Sequence, residues 1–331
     1  MEKNPVDFIY VNYHSSDDVM RSIESLKSLV KCAGLSARVY VVDNSFIESD
    51  PEVVLKLSNF SKLTTCDNYY VSYLPSDSNS GFGAACNKAS RICSAPLIAF
   101  VNCDTSFSST DPHEFLRMLD LLYRGSGAIV GPRIVSECGL LHASCFSFDP
   151  VSILLKPLRH IRRVGSSIRL KIPRYSSIKK RIDRITYEGM DKENPCYVDW
   201  VSGCFAVVRR DAFESVSGFD ERYFMYFEDV DLCRKFRQFS LGVIFDPRID
   251  VVHVASHASA KRRGVFRSLL FNPIARHHVR SWIQYCWKWK GDFVQKISRY
   301  ISPAAKESLR RVGGVGYGLD FSVYTTLDKI D

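Results

Sequence analysis

The sequence predicts an α/β protein in which helices flank a mostly parallel central sheet, with a helical extension at the C-terminal end. Short runs of β-branched and aromatic residues, typical of buried strands, alternate with segments whose apolar residues recur at helical spacing. Residues 266–290 add a third pattern, an amphipathic stretch rich in aromatic and basic side chains. A chain of 331 residues can bury one large core and also carry an appendage.

Four predicted strands and the helices between them make up the first part of the chain. The strands are residues 7–13, 38–42, 69–74 and 97–101. Helices are predicted after the cap residues at 15–18, over 51–58, over 81–91, and from the Asp111-Pro112 pair to Tyr123. Short strands are also predicted at 243–245 and 249–254. Strands that alternate with helices in this way form parallel sheets.

Side chains suited to ligand binding follow three of these strands. Tyr13 is at the end of one predicted strand, and Asp43 and Asp104 stand just past the ends of two others. Ligands of open α/β sheets bind in the crevice outside the carboxyl ends of the strands. We therefore expect the three residues to lie in one crevice, with the alternative that each one only shapes a turn.

The stretch 79–87 contains Gly81-Phe82-Gly83 and could be mistaken for a dinucleotide fingerprint. Cys86 occupies the third glycine position, and no predicted strand directly precedes the stretch. A nicotinamide-dependent dehydrogenase is therefore disfavoured. The small residues still predict a helix start whose backbone N–H groups can approach a phosphate or a sugar.

Composition places the chain among globular proteins, with 46% hydrophobic and 24% charged residues. Neither a signal peptide nor an uncharged apolar run near the roughly 20 residues of a membrane span is visible. Eleven cysteines without a Cys-x-x-Cys pair favour a reducing compartment. We expect a cytoplasmic protein, with a peripheral position on the cytoplasmic face of the inner membrane as an option.

The net charge of +9 is concentrated in residues 156–184, which hold eleven of the 45 Lys and Arg side chains. Apolar residues at helical spacing interleave with these cations. The insert at 151–185 therefore suits an anionic membrane surface or a pyrophosphate headgroup. A solvated loop or a helix packed on its own domain is the alternative. No nucleic-acid-binding module is visible, so we expect no nucleic acid partner.

An acidic group at Glu228, Asp229 and Asp231 follows the aromatic run 223–227. A carboxylate with aromatic neighbours is partly desolvated, which raises its pKa toward that of a useful general base. The alternative is that the acids only occupy the first turn of a helix, where they favour the helix dipole.

Three segments, 198–205, 218–221 and 226–232, together resemble the acceptor-side signature of inverting family 2 glycosyltransferases. The similarity is greatest to the rhamnosyltransferase-like branch, which builds bacterial surface polysaccharides such as O-antigens and capsules. The resemblance implies a GT-A fold, in which a nucleotide-binding half continues into an acceptor-binding half. It also implies that Asp229 deprotonates the acceptor hydroxyl and that Glu228 is a supporting acid.

The resemblance further assigns residues to both substrates and to a metal. It implies donor-binding roles for Tyr13, Asp43, Asn79, Gly81, Phe82, Asn87, Asn102 and Asp104. Trp200 and Gly203 are the implied acceptor-binding residues, with simple core packing as the alternative for Trp200. Asp104 and His253 are the implied ligands of Mg²⁺ or Mn²⁺, with a structural imidazole as the alternative for His253. The sequence departs from the family pattern at Asn12, His14 and Cys103.

On this basis residues 1–260 form the predicted GT-A domain and 261–331 the helical extension. The nucleotide-sugar half is 1–110, and the acceptor half is 111–260, which includes the insert at 151–185. The expected reaction moves a sugar from a nucleotide-sugar to a hydroxyl of a lipid-linked or surface-polysaccharide glycan. The first expected donor is dTDP-rhamnose, which supplies L-rhamnose, and UDP-hexoses or a furanose donor come next. The alternative is a non-catalytic nucleotide-sugar or glycan-binding protein on the same fold. The sequence leaves the oligomeric state open.

Overall fold

The computed structural model describes residues 5–66, 68–125, 127–148, 193–254 and 273–292. The basic insert at 151–185 lies outside the described residues, so the membrane contact predicted for it stays a prediction. Of the predicted extension at 261–331, only 273–292 is described. The division into domains therefore stays a prediction.

Four parallel strands form the first part of one central sheet, in the order β3-β2-β1-β4. They are β1 (Val6–Asn12), β2 (Ala37–Asp43), β3 (Tyr69–Pro75) and β4 (Leu97–Val101). The helices between them are α1 (Ser16–Ala33), α2 (Pro51–Thr64) and α3 (Phe82–Ser90). The predicted alternation is confirmed, and the carboxyl ends of the four strands lie at one edge of the sheet.

Antiparallel pairing continues the sheet beyond β4. The next elements are β5 (Thr105–Ser106), α4 (Pro112–Arg124), β6 (Gly127–Val135), β7 (Leu141–His142) and β8 (Cys145–Phe146). They are followed by β9 (Cys196–Tyr197), β10 (Trp200–Val201), β11 (Phe205–Arg209) and α5 (Arg210–Ser215). Strand β11 runs antiparallel between β4 and β6, with Phe205 opposite Val101. The turn that precedes β11 therefore lies at the edge where β4 ends.

The last described elements are α6 (Glu228–Gln238), β12 (Gly242–His253) and α7 (Pro273–Lys288). Strand β12 runs parallel to β6 and pairs at its end with β5. The two short strands predicted at 243–245 and 249–254 are this one strand, irregular between Asp246 and Asp250. Pro247 explains the irregularity, because proline has no N–H to donate and is confined to bulges and edges in sheets.

The predicted cap of α4 is confirmed, whereas Ser15 before α1 makes no side-chain capping hydrogen bond. The Asp111 carboxylate accepts hydrogen bonds from the backbone N–H groups of His113 and Glu114 at the start of α4. At the end of α1, Gly34 adopts a left-handed conformation that returns its N–H to the last carbonyls. Buried apolar residues cover both faces of the sheet in two clusters. In the part of the chain that the structure describes, no helix combines the length and apolarity needed to cross a membrane.

Candidate active site

A buried network ties the ends of β1, β2 and β3 together around Asp43. The Asp43 carboxylate is fully buried and accepts hydrogen bonds from Asn12 Nδ2 at 2.9 Å and from Tyr73 OH at 2.6 Å. Both the N–H and the hydroxyl of Ser45 also donate to it. Burial, together with the bond to Asp43, raises the pKa of Tyr73. Asp43 thus fixes the crevice wall, and a direct nucleoside contact stays a prediction.

Asn44, the next residue, is a site residue that sequence reasoning missed. Its side chain is buried, and Nδ2 donates to Asn79 Oδ1 and to the Gly81 carbonyl, each at 3.2 Å. Its Oδ1 is buried without a hydrogen-bond partner among the described residues. A buried amide oxygen without a partner is costly and calls for a ligand or a water molecule. Two predicted donor-binding residues, Asn79 and Gly81, flank this acceptor.

Gly81, directly before α3, has a backbone conformation and a close contact that disfavour any residue with a side chain. Its φ is 88°, and an added Cβ would lie 2.2 Å from the carbonyl oxygen of Phe224. The same carbonyl accepts a hydrogen bond from the N–H of Phe82 at 3.1 Å. The start of α3 is therefore joined to the loop that leads into α6. The glycine is required for this close approach, whatever its role toward the donor.

Asn87 also joins α3 to the second half of the molecule. Its Oδ1 accepts from the Phe219 N–H, and its Nδ2 donates to the Phe219 carbonyl and to Glu221. These bonds occupy the amide group with the 218–221 segment, so the structure shows a structural link at Asn87. The predicted donor contact of this residue is untested.

Tyr13 lies at the open side of the crevice. Its ring is 45% exposed, and its hydroxyl donates to Glu48 Oε2 at 3.3 Å. His14 Nε2 lies 3.1 Å from the same oxygen. This exposed ring is available to stack on a planar group such as a nucleobase.

The two predicted metal ligands meet at the end of the sheet. Asp104 Oδ1 and His253 Nε2 are 3.2 Å apart, and both side chains are partly exposed. Pairing of β5 with β12 brings them together, and the Val254 N–H donates to the Asp104 carbonyl at 2.7 Å. The preceding residue, Cys103, is turned away and donates to the Val11 carbonyl. Burial, and next the Asp104 charge, raise the pKa of the Cys103 thiol, which disfavours the thiolate that binds metals.

This pair fits a divalent cation held together with a substrate. A carboxylate oxygen and an imidazole nitrogen are suitable ligands for Mn²⁺ or Mg²⁺. Within the described ranges, no three His, Cys, Asp or Glu side chains form a metal-binding group. Magnesium-type sites are commonly built from one or two protein ligands and the phosphates of the substrate. The His142 ring also lies close, with its centroid 5.9 Å from that of His253.

The acid pair begins α6 and faces the turn before β11. The carboxylate of Asp229 is partly exposed and accepts hydrogen bonds from the N–H of Gly203 at 2.9 Å and of Val230 at 2.8 Å. An added Cβ at Gly203 would lie 3.2 Å from Asp229 Cβ, so this position keeps space for the carboxylate. Glu228 is buried, and its Cβ packs 3.6 Å from the Cβ position of Gly83 in α3.

One turn links the acid pair to the metal ligands. The Gly203 N–H donates to Asp229, and the carbonyl of the adjacent Cys204 accepts from the Asn102 N–H at 2.9 Å. Asp104 follows two residues after Asn102. The candidate base and the candidate metal site are therefore joined through residues 203–204, on the same edge of the sheet.

The aromatic run and Trp200 are placed differently from the expectation. Asp231 is the acid that aromatic side chains bury; it is fully buried and accepts from Tyr223 OH and Trp289 Nε1. Trp200 is 6% exposed and stacks on Phe146, with the ring centroids 3.9 Å apart. This is the core packing that stood as its alternative, and acceptor contact by Trp200 stays a prediction.

Comparison with known proteins identifies relatives of this architecture. Residues 7–217 match the family model described as Glycosyl transferase family 2. Over 86 residues the chain is 37% identical to the N-acetylglucosaminyl-diphospho-decaprenol L-rhamnosyltransferase of Mycobacterium tuberculosis (strain CDC 1551 / Oshkosh), which covers 26% of each protein. Over 88 residues it is 34% identical to rhamnosyltransferase WbbL of Escherichia coli (strain K12), covering 27% of this chain and 30% of WbbL. The matches thus span less than a third of each relative.

A solved structure resembles the chain over a larger share of its length. The crystal structure of GalNAc-T7 with UDP, GalNAc and Mn²⁺ aligns with a TM-score of 0.51 and 14% sequence identity. The alignment covers 76% of this chain and 44% of GalNAc-T7. At this identity the similarity concerns the fold.

Proposed function

The chain belongs to glycosyl transferase family 2, and from that premise we propose that it transfers a sugar from a nucleotide-sugar to a glycan hydroxyl with inversion at the anomeric carbon. One observation carries the proposal. The Asp229 carboxylate and the Asp104–His253 pair are joined through the same turn at 203–204. This link supports the proposal that a base for the acceptor and a site for the donor diphosphate share one crevice.

The proposed reaction is a single displacement. The acceptor oxygen forms a bond to the anomeric carbon as the bond from that carbon to the diphosphate oxygen breaks. Asp229 takes the proton of the acceptor hydroxyl, and the nucleoside diphosphate leaves with the electron pair. The N–H groups of Gly203 and Val230 orient the carboxylate for this step. Glu228 packs beside it as a supporting acid.

On the donor side, Asp104 and His253 would hold Mg²⁺ or Mn²⁺ together with the diphosphate. When bound, such a cation stabilises the charge that develops on the leaving group. Asn44 Oδ1 offers a hydrogen-bond acceptor to the nucleoside, and the exposed Tyr13 ring offers a stacking surface. The wall that carries them is fixed by the buried Asp43 network.

For the substrates we propose dTDP-L-rhamnose as the donor and a lipid-linked glycan as the acceptor. Two relatives are named as rhamnosyltransferases, and the name of one includes N-acetylglucosaminyl-diphospho-decaprenol. These names support the proposal. A glycan of this kind belongs to surface-polysaccharide synthesis such as that of O-antigens or capsules. Release of dTDP from dTDP-rhamnose, with N-acetylglucosaminyl-diphospho-decaprenol as acceptor, would measure this activity.

Replacing the base tests the proposal directly. Asp229→Asn keeps the shape and an oxygen that can accept from Gly203, but the amide cannot take a proton. We expect kcat to fall by at least about 100-fold, while calorimetric binding of dTDP with Mn²⁺ is unchanged. Asp211→Asn, at an exposed acid on α5, is the matched control and should keep full activity.

Wild-type turnover by Asp229→Asn would remove this residue as the base. If the wild-type protein binds dTDP with Mn²⁺ but turns over no member of a nucleotide-sugar panel, with or without acceptor, the binding-protein alternative would replace the enzyme.

We also propose a peripheral position on an anionic membrane surface, where a lipid-linked acceptor would be met. One exposed face of α7 presents Arg276, Arg280, Ile283 and Trp287, with Ile283 54% and Trp287 73% exposed. Basic residues beside aromatic and aliphatic ones suit such a surface. The basic composition of 156–184 adds to this.

Vesicle binding tests the membrane proposal. We expect sedimentation with phosphatidylcholine vesicles that contain phosphatidylglycerol and release in high salt, because the attraction is partly electrostatic. The double variant Ile283→Ser, Trp287→Ser should sediment less than the wild type. Equal sedimentation with pure phosphatidylcholine, or no loss in the double variant, would contradict a role of this face.

A further inference from the structure

The turn that carries the acid pair has a strained backbone. Tyr226 and Phe227, the two residues directly before Glu228, have φ values of 67° and 70°. Bulky side chains rarely adopt this left-handed conformation, and they keep it only where the surroundings over-determine it. Something outside the turn must therefore hold it in place.

Helix α7 provides contacts to this strained segment. Ser281 Oγ, which is buried, donates to the Met225 carbonyl at 2.8 Å. The His278 ring lies against the rings of Tyr226 and Phe227, with centroid distances of 4.8 and 5.7 Å. The residues before the acid pair are thus attached to a helix that is distant in sequence.

A second set of contacts holds the first turn of α6 from its buried side. The Asp231 carboxylate, which is fully buried, accepts from Lys288 Nζ at 2.7 Å and from Trp289 Nε1 at 2.7 Å. Lys288 also donates to Asp220 at 2.7 Å. Charged and hydrogen-bonded partners of this kind offset the cost of removing a carboxylate from water. Asp231 is two residues from Asp229, so its position fixes the same helical turn.

A third attachment lies one turn further along α6 and does not involve Glu228, Asp229 or Asp231. Arg234 donates to Tyr285 OH at 2.8 Å and to Asp292 Oδ2 at 2.9 Å. The Arg234 side chain is 4% exposed. The Arg234 guanidinium also lies 4.8 Å from the centroid of the Trp289 ring. Only the Tyr285 hydroxyl, which has no hydrogen bond to Asp231, therefore provides a control for the effect of stability.

We propose that Lys288 and Trp289, acting through Asp231, and Ser281, acting through the 225 carbonyl, are positioning residues that hold Asp229 in its reactive orientation. The strained turn and the first turn of α6 are held from two sides by α7. The Asp229 carboxylate then meets the Gly203 N–H on the crevice side. We call the contacts of Ser281, Lys288 and Trp289 with residues 223–231 the clamp. The assignment of Asp229 as the base rests on the proposed function, whereas the clamp concerns only the position of the backbone of residues 223–231.

The first test removes single donors of the clamp. Trp289→Phe deletes the indole N–H and keeps an aromatic ring, and Lys288→Met deletes the charge at similar length. We expect kcat with dTDP-rhamnose to fall by about 10- to 100-fold, because a small displacement of a reacting group has effects of this size. The KM for dTDP-rhamnose should rise by less than kcat falls, because only the Phe224 carbonyl, among the described residues, joins this segment to the proposed donor residues Gly81 and Phe82. Lys288→Arg should restore most of the rate.

Tyr285→Phe is the matched control. It removes the hydroxyl that Arg234 contacts and leaves Asp231 with all its partners. We expect a lower thermal midpoint and an unchanged kcat. If Tyr285→Phe loses as much kcat as Trp289→Phe at an equal loss of thermal midpoint, the contacts only stabilise the fold and the proposal is overturned. The proposal is also overturned if Trp289→Phe and Lys288→Met are folded and have the kcat of the wild type.

A second measurement is independent of catalysis. Ser281→Ala removes one hydrogen bond and is the mildest of these changes. We expect faster hydrogen exchange at the amides of 223–231 in Ser281→Ala and Trp289→Phe, and unchanged exchange there in Tyr285→Phe. Unchanged exchange in all three variants would overturn the clamp even if the enzyme assignment holds. Conversely, an active Asp229→Asn enzyme would refute the base and leave the exchange result standing.

Discussion

At the scale of single residues, the buried oxygen of Asn44 is a candidate for a contact with the donor. It is buried, it has no hydrogen-bond partner among the described residues, and the amide nitrogen of the same group is held by Asn79 and Gly81. The amide therefore cannot rotate without losing two bonds. A nucleoside N–H or hydroxyl would satisfy the oxygen on binding.

Asn44→Ala should therefore weaken nucleotide binding more than it weakens the fold. We expect the Kd of dTDP with Mn²⁺ to rise by about tenfold, which corresponds to about 1.4 kcal/mol and the loss of one well-made hydrogen bond. Stability should fall by about 1 kcal/mol, because the two bonds to Asn79 and Gly81 are lost as well. Titration calorimetry and thermal unfolding measure the two effects.

Asn59→Ala, at an exposed amide on α2, is the control for the loss of an amide far from the crevice. It should leave both quantities at wild-type values. Wild-type affinity in Asn44→Ala would show that the buried oxygen is satisfied by water and that the nucleoside binds elsewhere.

Residue chemistry decided which of these positions could be predicted from sequence. Asp104, His253 and Asp229 stand in motifs where only an acid or an imidazole can do the expected work, and the structure brings Asp104 and His253 together. Asn44 carries no such signal, because an unsatisfied oxygen depends on neighbours distant in sequence. For the same reason Asp231 was grouped with the other acids, although its contacts are to Tyr223, Lys288 and Trp289.

At the scale of elements, local patterns predicted what local interactions determine. The four parallel strands and the helix begun by Asp111-Pro112 match the expectation closely, because buried periodicity and capping are properties of short segments. Strands β6 and β11 were not predicted. Strand β11 inserts antiparallel between β4 and β6, and that pairing joins segments about a hundred residues apart.

Antiparallel insertion of β11 has a consequence for the site. A parallel strand in that place would put the turn at 203–204 at the opposite edge of the sheet. Because β11 is antiparallel, Gly203 meets Asp229 while Cys204 meets Asn102. The topology thus brings the predicted acceptor-side and donor-side residues together. No sequence pattern within β11 predicts the antiparallel pairing.

Helix α7 was expected as an amphipathic segment, and a helix is present at 273–288. Its role in packing is larger than that pattern implies. Tyr285 is fully buried and Trp289 is 5% exposed, and both belong to the core cluster that includes α6. The sequence could show that aromatic residues recur along the helix, but it could not show which acid they would surround.

At the scale of the whole molecule, the predicted family is confirmed by the match over 7–217, and the GT-A fold by the architecture and its structural relatives. The acid pair at 228–229 lies beyond the matched range, so its proposed role is supported by the resemblance of 226–232 and by the contact with Gly203. The substrates, the metal and the membrane surface are proposals that binding experiments can test.

Ligand binding at the crevice should stabilise the molecule as a unit, because the proposed donor contacts come from residues at β1, β2, α3, the β4–β5 turn and β12. We expect dTDP with Mn²⁺ to raise the thermal midpoint by several degrees, since about 2.7 kcal/mol of stabilisation follows at 100 times the Kd. UDP should give a smaller shift if dTDP-rhamnose is the donor. Either nucleotide without Mn²⁺ should give a much smaller shift.

Asp104→Ala should abolish the part of this stabilisation that requires Mn²⁺, because it removes the carboxylate that lies 3.2 Å from His253. Asp120→Ala, at an exposed acid paired with Arg124 on α4, removes a carboxylate at a site where ion pairs contribute little. It should respond to dTDP and Mn²⁺ as the wild type does. A full Mn²⁺-dependent shift in Asp104→Ala would place the cation elsewhere in the molecule, and the donor diphosphate with it.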